Sequence, residues 1–272
     1  MLKNMLKNVK EKCPLIQNIT NYVTTNDCAN ITLACGGSPV MADDINEVED
    51  FAKICDGLNI NIGTMGIIVP AMFVAGKKHN EYNHPIVLDP VGAGASKLRT
   101  ETCQKLLDEI HFTTIRGNIS EIKTLVNGNG TTQGVDANVE DEVTINNLDK
   151  AVDFAKNFAK KTRSIIAITG AIDIVADSNK AYCIFNGKPM MSKVTGTGCM
   201  LSSLTACYIA ANPDNPLEAT AAAVCAMGLC GEIAYNRLTK LDGNSTYRNY
   251  IIDAMFNLTG EQLEEGAKYE IR

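Results

Sequence analysis

Apolar and polar residues alternate in blocks along this chain, and the blocks predict strands and helices in turn. Short continuous apolar runs predict strands, and longer runs with apolar residues at helical spacing predict amphipathic helices. The predicted strands are residues 38–41, 58–62, 85–88, 112–115, 164–168, 172–176 and 181–185. The predicted helices are residues 45–55, 67–78, 97–109, 120–126, 148–161, 200–210, 216–238 and 247–258.

This order of elements predicts an α/β fold with a central, largely parallel sheet that is covered by helices on both faces. The strand at 165–168 is apolar throughout, which is typical of a strand buried on both sides. Residues 127–142 are polar and rich in glycine and asparagine, which predicts a loop. Because no linker divides the sequence, we expect one domain over residues 1–272.

Residues 14–26 are unusually dense in amide and hydroxyl side chains. This composition is typical of a solvated loop, followed by a helix that is capped at Thr25 or Asn26. Composition alone does not decide between that loop and a functional segment.

Residues 194–199, Val-Thr-Gly-Thr-Gly-Cys, directly precede the apolar helix predicted at 200–210. The free N–H groups of a first helical turn and the helix dipole favour an anion, and Gly196 and Gly198 let the backbone approach a ligand closely. Cys199 stands beside glycines, whereas most of the other cysteines fit apolar patterns as small hydrophobic residues. The motif predicts an anion pocket with a reactive thiol at its mouth.

Polar residues also follow three other predicted strands, at the edge where open α/β sheets bind ligands. Asp89, Arg116 and Thr169 each stand at such a strand end. Arginine suits phosphate, and the carboxylates of Asp89 and Glu121 suit Mg2+ together with water and phosphate oxygens. Structural roles remain open for each: a cap or turn at Asp89, a capping box of Asn118 with Glu121, and a turn at Thr169.

Composition disfavours several partners and locations. The net charge is −6 and no basic tract occurs, which argues against nucleic acid and anionic membranes. The longest low-polarity run, residues 219–231, is shorter than the roughly 20 apolar residues that span a bilayer, and the N-terminus has no apolar signal core. We therefore expect a cytoplasmic protein. Ten cysteines without a Cys-x-x-Cys pair, and three scattered histidines, argue against a zinc site.

The absence of several known motifs excludes or disfavours further classes of enzyme. The sequence has no Gly-x-x-x-x-Gly-Lys-Ser/Thr, which excludes a P-loop NTPase, and no Gly-x-Gly-x-x-Gly after its first strand, which disfavours a Rossmann dehydrogenase. Gly-x-Ser-x-Gly is absent, and no histidine stands where it would obviously activate Cys199. A serine or cysteine hydrolase is therefore disfavoured.

Five motifs in order along the chain resemble those of the ribokinase-like small-molecule kinases, and within that group the hydroxyethylthiazole kinases. The motifs are residues 15–21, 38–42, 89–93, 116–118 with Glu121, and 195–199. The resemblance implies a three-layer sandwich and ATP- and Mg2+-dependent phosphorylation of the hydroxyl of 4-methyl-5-(2-hydroxyethyl)thiazole, for thiamine biosynthesis or salvage. It also implies a homotrimer with each active site between two subunits.

The same resemblance implies roles on the side of the acceptor alcohol. Asn21 and Met41 line the thiazole pocket, and Gly196 contacts the substrate as part of the anion hole. Cys199 occupies the position at which many ribokinase-like enzymes carry an aspartate base and at which the thiazole kinases carry cysteine.

Further roles are implied on the side of the nucleotide. Arg116 and Thr169 hold the ATP phosphates, and Gly198 belongs to the same ATP site. Asp89 and Glu121 organise Mg2+, directly or through water.

A thiol at the position of an aspartate base raises the question of how Cys199 would assist the reaction. A free thiol has a pKa of about 8.5, and a helix N-terminus lowers it. Phosphoryl transfer depends mostly on positioning and charge neutralisation, and general-base help is worth roughly 100- to 10,000-fold. We therefore expect Cys199 to orient the hydroxyl and to assist modestly, so that a Cys199→Ala variant keeps measurable turnover.

Three other functions remain open. A kinase of the same fold acting on hydroxymethylpyrimidine or a sugar usually carries aspartate where this chain has Cys199. A cysteine-dependent acyl-transfer enzyme would use Cys199 as nucleophile, but it lacks an evident histidine partner. A non-catalytic nucleotide-binding regulator would have no use for both Asp89 and Glu121.

Overall fold

A central sheet organises the computed structural model, which describes residues 1–128 and 142–272. Its strands are β1 (Leu15–Ile19), β2 (Ser38–Val40), β3 (Gly57–Asn61), β4 (Ile86–Asp89), β5 (Thr114–Asn118), β6 (Ile165–Thr169), β7 (Asp173–Ala176), β8 (Ala181–Ile184) and β9 (Tyr269–Ile271). Their order in the sheet is β2-β1-β3-β4-β5-β6-β7-β8-β9. The pairs from β2 to β6 are parallel, and those from β6 to β9 are antiparallel. Most of the predicted loop at 127–142 lies outside the described residues.

Helices cover both faces of this sheet. They are α1 (Leu2–Lys12), α2 (Thr25–Cys35), α3 (Val48–Ile54), α4 (Val69–Glu81), α5 (Lys97–Glu109), α6 (Ile119–Asn127), α7 (Leu148–Thr162), α8 (Thr197–Ala211), α9 (Pro216–Arg237), α10 (Asn244–Asn257) and α11 (Gly260–Gly266). One apolar core joins the sheet to α1, α2 and α8 to α11, and a second joins it to α3 to α7. The predicted three-layer α/β sandwich is confirmed.

Strand β6 explains why some strands are apolar at every position. Ile165 and Ala167 face one core, whereas Ile166 and Ile168 face the other. Because successive side chains of a strand point to opposite faces, a strand covered on both sides needs apolar residues throughout.

Helix α9 is long and apolar enough to cross a membrane by length and composition alone. However, 83% of its most apolar window is buried inside the protein, and its residues belong to the core shared with α8 and α10. It is therefore packed as a core helix.

The segment at 14–26 differs from the solvated loop that its composition predicts. Leu15–Ile19 forms β1, which lies between β2 and β3, and the amide side chains of Gln17 and Asn18 are buried. They are tolerated because they have partners: Gln17 donates to the carbonyl of Ala42 at 3.1 Å, and Asn18 donates to that of Ile16 at 3.1 Å. Helix α2 then begins at Thr25 itself, after Thr24.

Three terminal elements are absent from the predicted set. Helix α1 places Leu2, Met5, Leu6 and Val9 in the core, which is the spacing of an amphipathic helix with lysines and asparagines on its other face. Helix α11 has seven residues and β9 has three, so neither carries a long periodic signal.

Parallel strands bring distant polar residues to one edge of the sheet. Asn61 at the end of β3 is in register with Asp89 at the end of β4, and Asn118 at the end of β5 is in register with Thr169 at the end of β6. Helix α8 packs on β1, β3 and β4 and begins at this edge. The candidate site lies there, as the sequence predicts.

Candidate active site

Two glycines at the start of α8 are required by what lies against them. Gly196 has φ of 91°, and an added Cβ would lie 2.5 Å from Cγ2 of Thr24. At Gly198 an added Cβ would lie 2.7 Å from both terminal nitrogens of Arg116. The first turn of α8 therefore packs directly on a guanidinium group, and the predicted neighbours Gly196, Gly198 and Arg116 come together.

Arg116 is buried, with 9% of its surface exposed, and reaches across three strand ends. One terminal nitrogen donates to both carboxylate oxygens of Asp89 at 3.3 Å, and the other donates to Oγ1 of Thr169 at 2.7 Å. Its buried Nε has no hydrogen-bond partner among the described residues. A buried donor without a partner at a helix N-terminus is suited to an anion.

Asp89 is fully buried and heavily hydrogen-bonded. Besides Arg116, its Oδ2 accepts from Nδ2 of Asn61 at 2.8 Å and from Oγ of Ser202 at 2.7 Å. Burial raises the pKa of Asp89, and Arg116, Ser202 and Asn61 oppose that shift. A role as a turn residue or helix cap, which the sequence left open for Asp89, does not account for these side-chain hydrogen bonds.

Cys199 lies in the first turn of α8 and is 9% exposed. Its sulfur accepts from Nδ2 of Asn21 at 3.2 Å and from Nδ2 of Asn61 at 3.3 Å. No histidine is among these partners: the Nε2 of His79 lies 3.0 Å from Oε1 of Gln17 instead.

The expectation of a lowered thiol pKa at Cys199 is wrong. Burial raises the pKa of this thiol, and the nearby Asp89 charge raises it further. Hydrogen bonds from Thr24 and Asn21 and the charge of Arg116 lower it, but by less. Cys199 is therefore a neutral thiol near neutral pH, which makes it a poor nucleophile.

Glu121 has the capping role that the sequence left open. Its Oε2 accepts from the backbone N–H of Asn118 at 2.8 Å, and Oδ1 of Asn118 accepts from the N–H of Glu121 at 2.9 Å. Its Oε1 accepts from the N–H of Gly92 at 2.7 Å, which ties the turn after Asp89 to α6. Burial and then the Asp89 charge raise the pKa of Glu121 to about 7.

The charges around Asp89 and Glu121 fit a divalent cation held with phosphate. Two buried carboxylates share one neighbouring cation, Arg116, and the charge of Asp89 disfavours the ionised form of Glu121. Asp89 and Glu121 suit Mg2+, which uses one or two carboxylates with water and substrate phosphates. Within residues 1–128 and 142–272 no group of three or more His, Cys, Asp or Glu side chains is arranged to hold a metal.

The two residues predicted to line the thiazole pocket differ in their placement. Asn21 follows β1, is 3% exposed, and its amide contacts both Cys199 and Asn61. Met41 follows β2 at the same edge of the sheet and is partly exposed. Asn21 thus belongs to the hydrogen-bonded cluster around Cys199 and Asp89, whereas Met41 lies at the end of the neighbouring strand.

Two residues of the cluster were missed by the sequence reasoning. Asn61 bridges Asp89 and Cys199, and Ser202 donates to Asp89 from one turn further along α8. The signal for Asn61 was present: an amide stands next to the last position of the strand predicted at 58–62, two residues before Gly63. The only sequence signal for Ser202 was its position three residues after Cys199, which places the two side chains on the same side of a helix.

The sequence pattern of the Hydroxyethylthiazole kinase family matches residues 6–261 of this chain. The chain belongs to the hydroxyethylthiazole kinase family. It is 64% identical to a hydroxyethylthiazole kinase of Clostridium acetobutylicum over 271 residues, which cover 99% of both chains. It is 48% identical to a hydroxyethylthiazole kinase of Clostridium tetani, over 97% of this chain and 96% of that protein.

Solved structures agree with this membership. A hydroxyethylthiazole kinase protein from Pyrococcus horikoshii superimposes with a TM-score of 0.88 at 32% identity, covering 100% of this chain and 98% of that one. A pyridoxal kinase from Staphylococcus aureus in complex with ADP superimposes with a TM-score of 0.61 at 15% identity, covering 95% and 97%. The second likeness concerns the fold alone, and together they support a ribokinase-like fold.

Proposed function

We propose that this chain transfers the γ-phosphoryl group of ATP to the hydroxyl of 4-methyl-5-(2-hydroxyethyl)thiazole, which yields the thiazole phosphate used to make thiamine. Family membership supports this reaction, and the observation that carries it is the cluster at the start of α8. There Arg116 lies against Gly198, between Asp89 and Thr169, with its buried Nε free for an anion. The whole chain, residues 1–272, acts as one kinase domain in the cytoplasm.

The phosphates would bind at the first turn of α8. The N–H groups of a first helical turn have no partner within the helix, so those from Gly196 to Cys199 would stabilise the phosphoryl group in transfer. Arg116, which lies against Gly198, and Thr169 would contact the ATP phosphates beside this turn. Both already form one hydrogen-bonded unit at 2.7 Å, so the triphosphate meets a preorganised pair.

Mg2+ would be held by Asp89 and Glu121, directly or through water. When bound, the cation neutralises phosphate charge. Its arrival favours the ionised form of Glu121, whose pKa is about 7 without it. Glu121 meanwhile keeps the turn at Gly92 in place through Oε1.

Cys199 would act on the acceptor alcohol as a neutral group. Its raised pKa disfavours a thiolate base. A loose transition state for phosphoryl transfer needs alignment more than proton removal, so a thiol held by Asn21 and Asn61 suffices to orient the hydroxyl. Asn21, Met41 and Gly196 would surround the thiazole ring next to it.

A homotrimer with active sites between subunits would cover the apolar rim of this site. Tyr22 is 82% exposed and Ile67 is 95% exposed, in the loops that follow β1 and β3. The two loops are joined by a hydrogen bond from the backbone of Tyr22 to Thr64 at 3.1 Å. Exposed apolar side chains beside a buried polar cluster are typical of an interface. Light scattering of the wild-type protein and an Ile67→Glu variant tests this assembly.

One assay separates this function from the alternatives. The protein is given MgATP with the thiazole alcohol, hydroxymethylpyrimidine and a panel of sugars, and ADP and phosphorylated products are measured. We expect phosphorylation of the thiazole alcohol in preference to the others. Turnover of no alcohol would leave a nucleotide-binding regulator, and preference for the pyrimidine or a sugar would move the chain to another kinase specificity.

A further inference from the structure

Asn61 connects the two chemical halves of the candidate site. It is the last residue of β3 and is fully buried. Its Nδ2 donates to Oδ2 of Asp89 at 2.8 Å and to the sulfur of Cys199 at 3.3 Å. A single amide group thus lies between the carboxylate on the phosphate side and the thiol on the alcohol side.

The orientation of this amide is determined by its neighbours. Oδ1 of Asn61 accepts from the backbone N–H of Gly63 at 2.9 Å, and a backbone N–H can only donate. The same oxygen accepts from Nδ2 of Asn21 at 3.0 Å. The amide nitrogen therefore faces Asp89 and Cys199, and each of its two hydrogens has one acceptor.

Asn21 is held in a matching way. Its Oδ1 accepts from the backbone N–H of Thr24 at 3.1 Å, so its Nδ2 faces Asn61 and Cys199. The sulfur of Cys199 consequently receives two N–H groups whose directions are set by the backbone. Only Asn61, however, also contacts Asp89.

We propose that Asn61 is a positioning residue for phosphoryl transfer, which sets the position of the Cys199 sulfur relative to the Asp89 carboxylate. The proposal rests on the proposed kinase function. Removing the amide would leave the sulfur with Asn21 alone and would leave Asp89 one donor short. The acceptor hydroxyl would then lose its alignment with the phosphoryl group, and a displacement of about 1 Å can cost about 100-fold in rate.

Asn59 provides a matched control on the same strand. It lies two residues before Asn61, on the same face of β3, and is equally buried. Its Nδ2 donates to Oδ1 of Asn18 and to Oγ of Ser203, both at 3.1 Å, instead of to Asp89 and Cys199. An Asn59→Ala variant removes the same atoms from the same strand without touching the reacting groups.

The test is a double-mutant cycle with Asn61→Ala, Cys199→Ala, the double variant and the Asn59→Ala control. We expect Asn61→Ala to lower kcat by about 10- to 100-fold while KM for the thiazole alcohol changes by less than about threefold. In the Cys199→Ala background, the same change should cost several-fold less in kcat than in wild type, because the sulfur that it positions is gone and only the lost donor to Asp89 remains. Asn59→Ala should keep kcat within about threefold of wild type.

The outcomes separate this inference from the proposed function. A wild-type protein without turnover of the thiazole alcohol overturns both. With wild-type turnover present, an equal loss in both backgrounds, an equal loss in Asn59→Ala, or no loss in Asn61→Ala overturns the role of Asn61 alone. Circular dichroism checks folding. If Asn61→Ala does not fold, Asn61→Ser replaces it in the same cycle, and the same outcomes apply.

Discussion

Two carboxylates that accept similar hydrogen bonds, one fully buried and one partly buried, have opposite pKa shifts. Glu121, near the candidate site, accepts from the backbone of Asn118 and Gly92, and its pKa is raised to about 7. Glu232 lies in α9 beside the loop after β8. It accepts from the backbone of Gly187 at 3.0 Å and from the side chain of Asn186 at 3.2 Å. Its pKa is lowered from the ordinary value.

The difference lies in the compensating charge. Burial raises the pKa of Glu232, but its hydrogen bonds and the ammonium of Lys268 at 2.6 Å outweigh that effect. Glu121 is buried more deeply and has Asp89 as a charged neighbour, and both must share Arg116. A carboxylate that only ties the fold together has its own cation nearby, whereas the candidate site retains negative charge that a bound cation would offset.

The strongest test of this comparison removes the charge of Asp89. We expect Asp89→Asn to lower kcat by about 1000-fold, because Arg116 loses its partner and the site loses half of its carboxylate charge. Steady-state turnover with saturating MgATP and thiazole alcohol measures the loss. A folded Asp89→Asn variant within about tenfold of wild type would contradict a catalytic role for this carboxylate.

A second test uses the pH dependence of stability without nucleotide or metal. The pKa of Glu121 rises from 4.5 to about 7 on folding, so its stabilising contribution is complete below about 4.5 and is lost as the pH rises through 7. Between about pH 5 and pH 8, wild type should lose about 3 kcal/mol more unfolding free energy than Glu121→Gln. Urea unfolding at the two pH values measures this difference.

The same experiment contains its own control. Asp173, whose pKa burial also raises to about 7, is present in both proteins, so the difference between them isolates Glu121. Glu232 should behave in the opposite way, because a lowered pKa stabilises above the ordinary carboxyl range and is lost in acid. Equal pH dependence in wild type and Glu121→Gln would mean that Glu121 stays ionised throughout.

A third test moves the shared cation without changing any charge. An added Cβ at Gly198 would lie 2.7 Å from both terminal nitrogens of Arg116 and would displace the guanidinium from Asp89 and Thr169. We expect Gly198→Ala to lower kcat by about 30-fold, and the weakened buried ion pair should also lower the free energy of unfolding. Gly243 precedes helix α10 with open space around it, so Gly243→Ala is the matched control and should leave kinetics unchanged. Unchanged turnover in Gly198→Ala would argue against a role for the Arg116 position.

The smallest effect on activity is expected at Glu232. Glu232→Gln weakens the ion pair with Lys268 and should lower the free energy of unfolding by about 1 kcal/mol. Because its hydrogen-bond partners Asn186, Gly187 and Lys268 are outside the cluster at the start of α8, kcat should stay within about threefold of wild type. Thermal unfolding and turnover are measured on the same preparation, and a large loss of turnover in a stable variant would break the distinction between the two carboxylates.

Several site residues were predictable because each stood at a recognisable place in the pattern. Asp89, Arg116 and Thr169 end parallel strands, and parallel strands end at one edge of the sheet. Gly196 caps the N-terminus of the apolar helix α8 and Gly198 lies in its first turn, and this helix begins at that edge. In contrast, composition left the segment of Gln17 and Asn18 open between a solvated loop and a functional segment, because composition does not reveal that a buried amide has partners.

By itself, the sequence determined most of the strands and helices, the layered fold and the edge of the sheet at which the candidate site lies, because hydrophobic periodicity and strand ends are local properties of the chain. Only the tertiary structure decided the chemistry of Cys199, whose thiol pKa is raised where its place at a helix N-terminus predicts a lowered one. The partners of its sulfur, Asn21 and Asn61, are 178 and 138 residues away in sequence. A charge state depends on burial and on neighbours from distant segments, and those quantities exist only once the chain has folded.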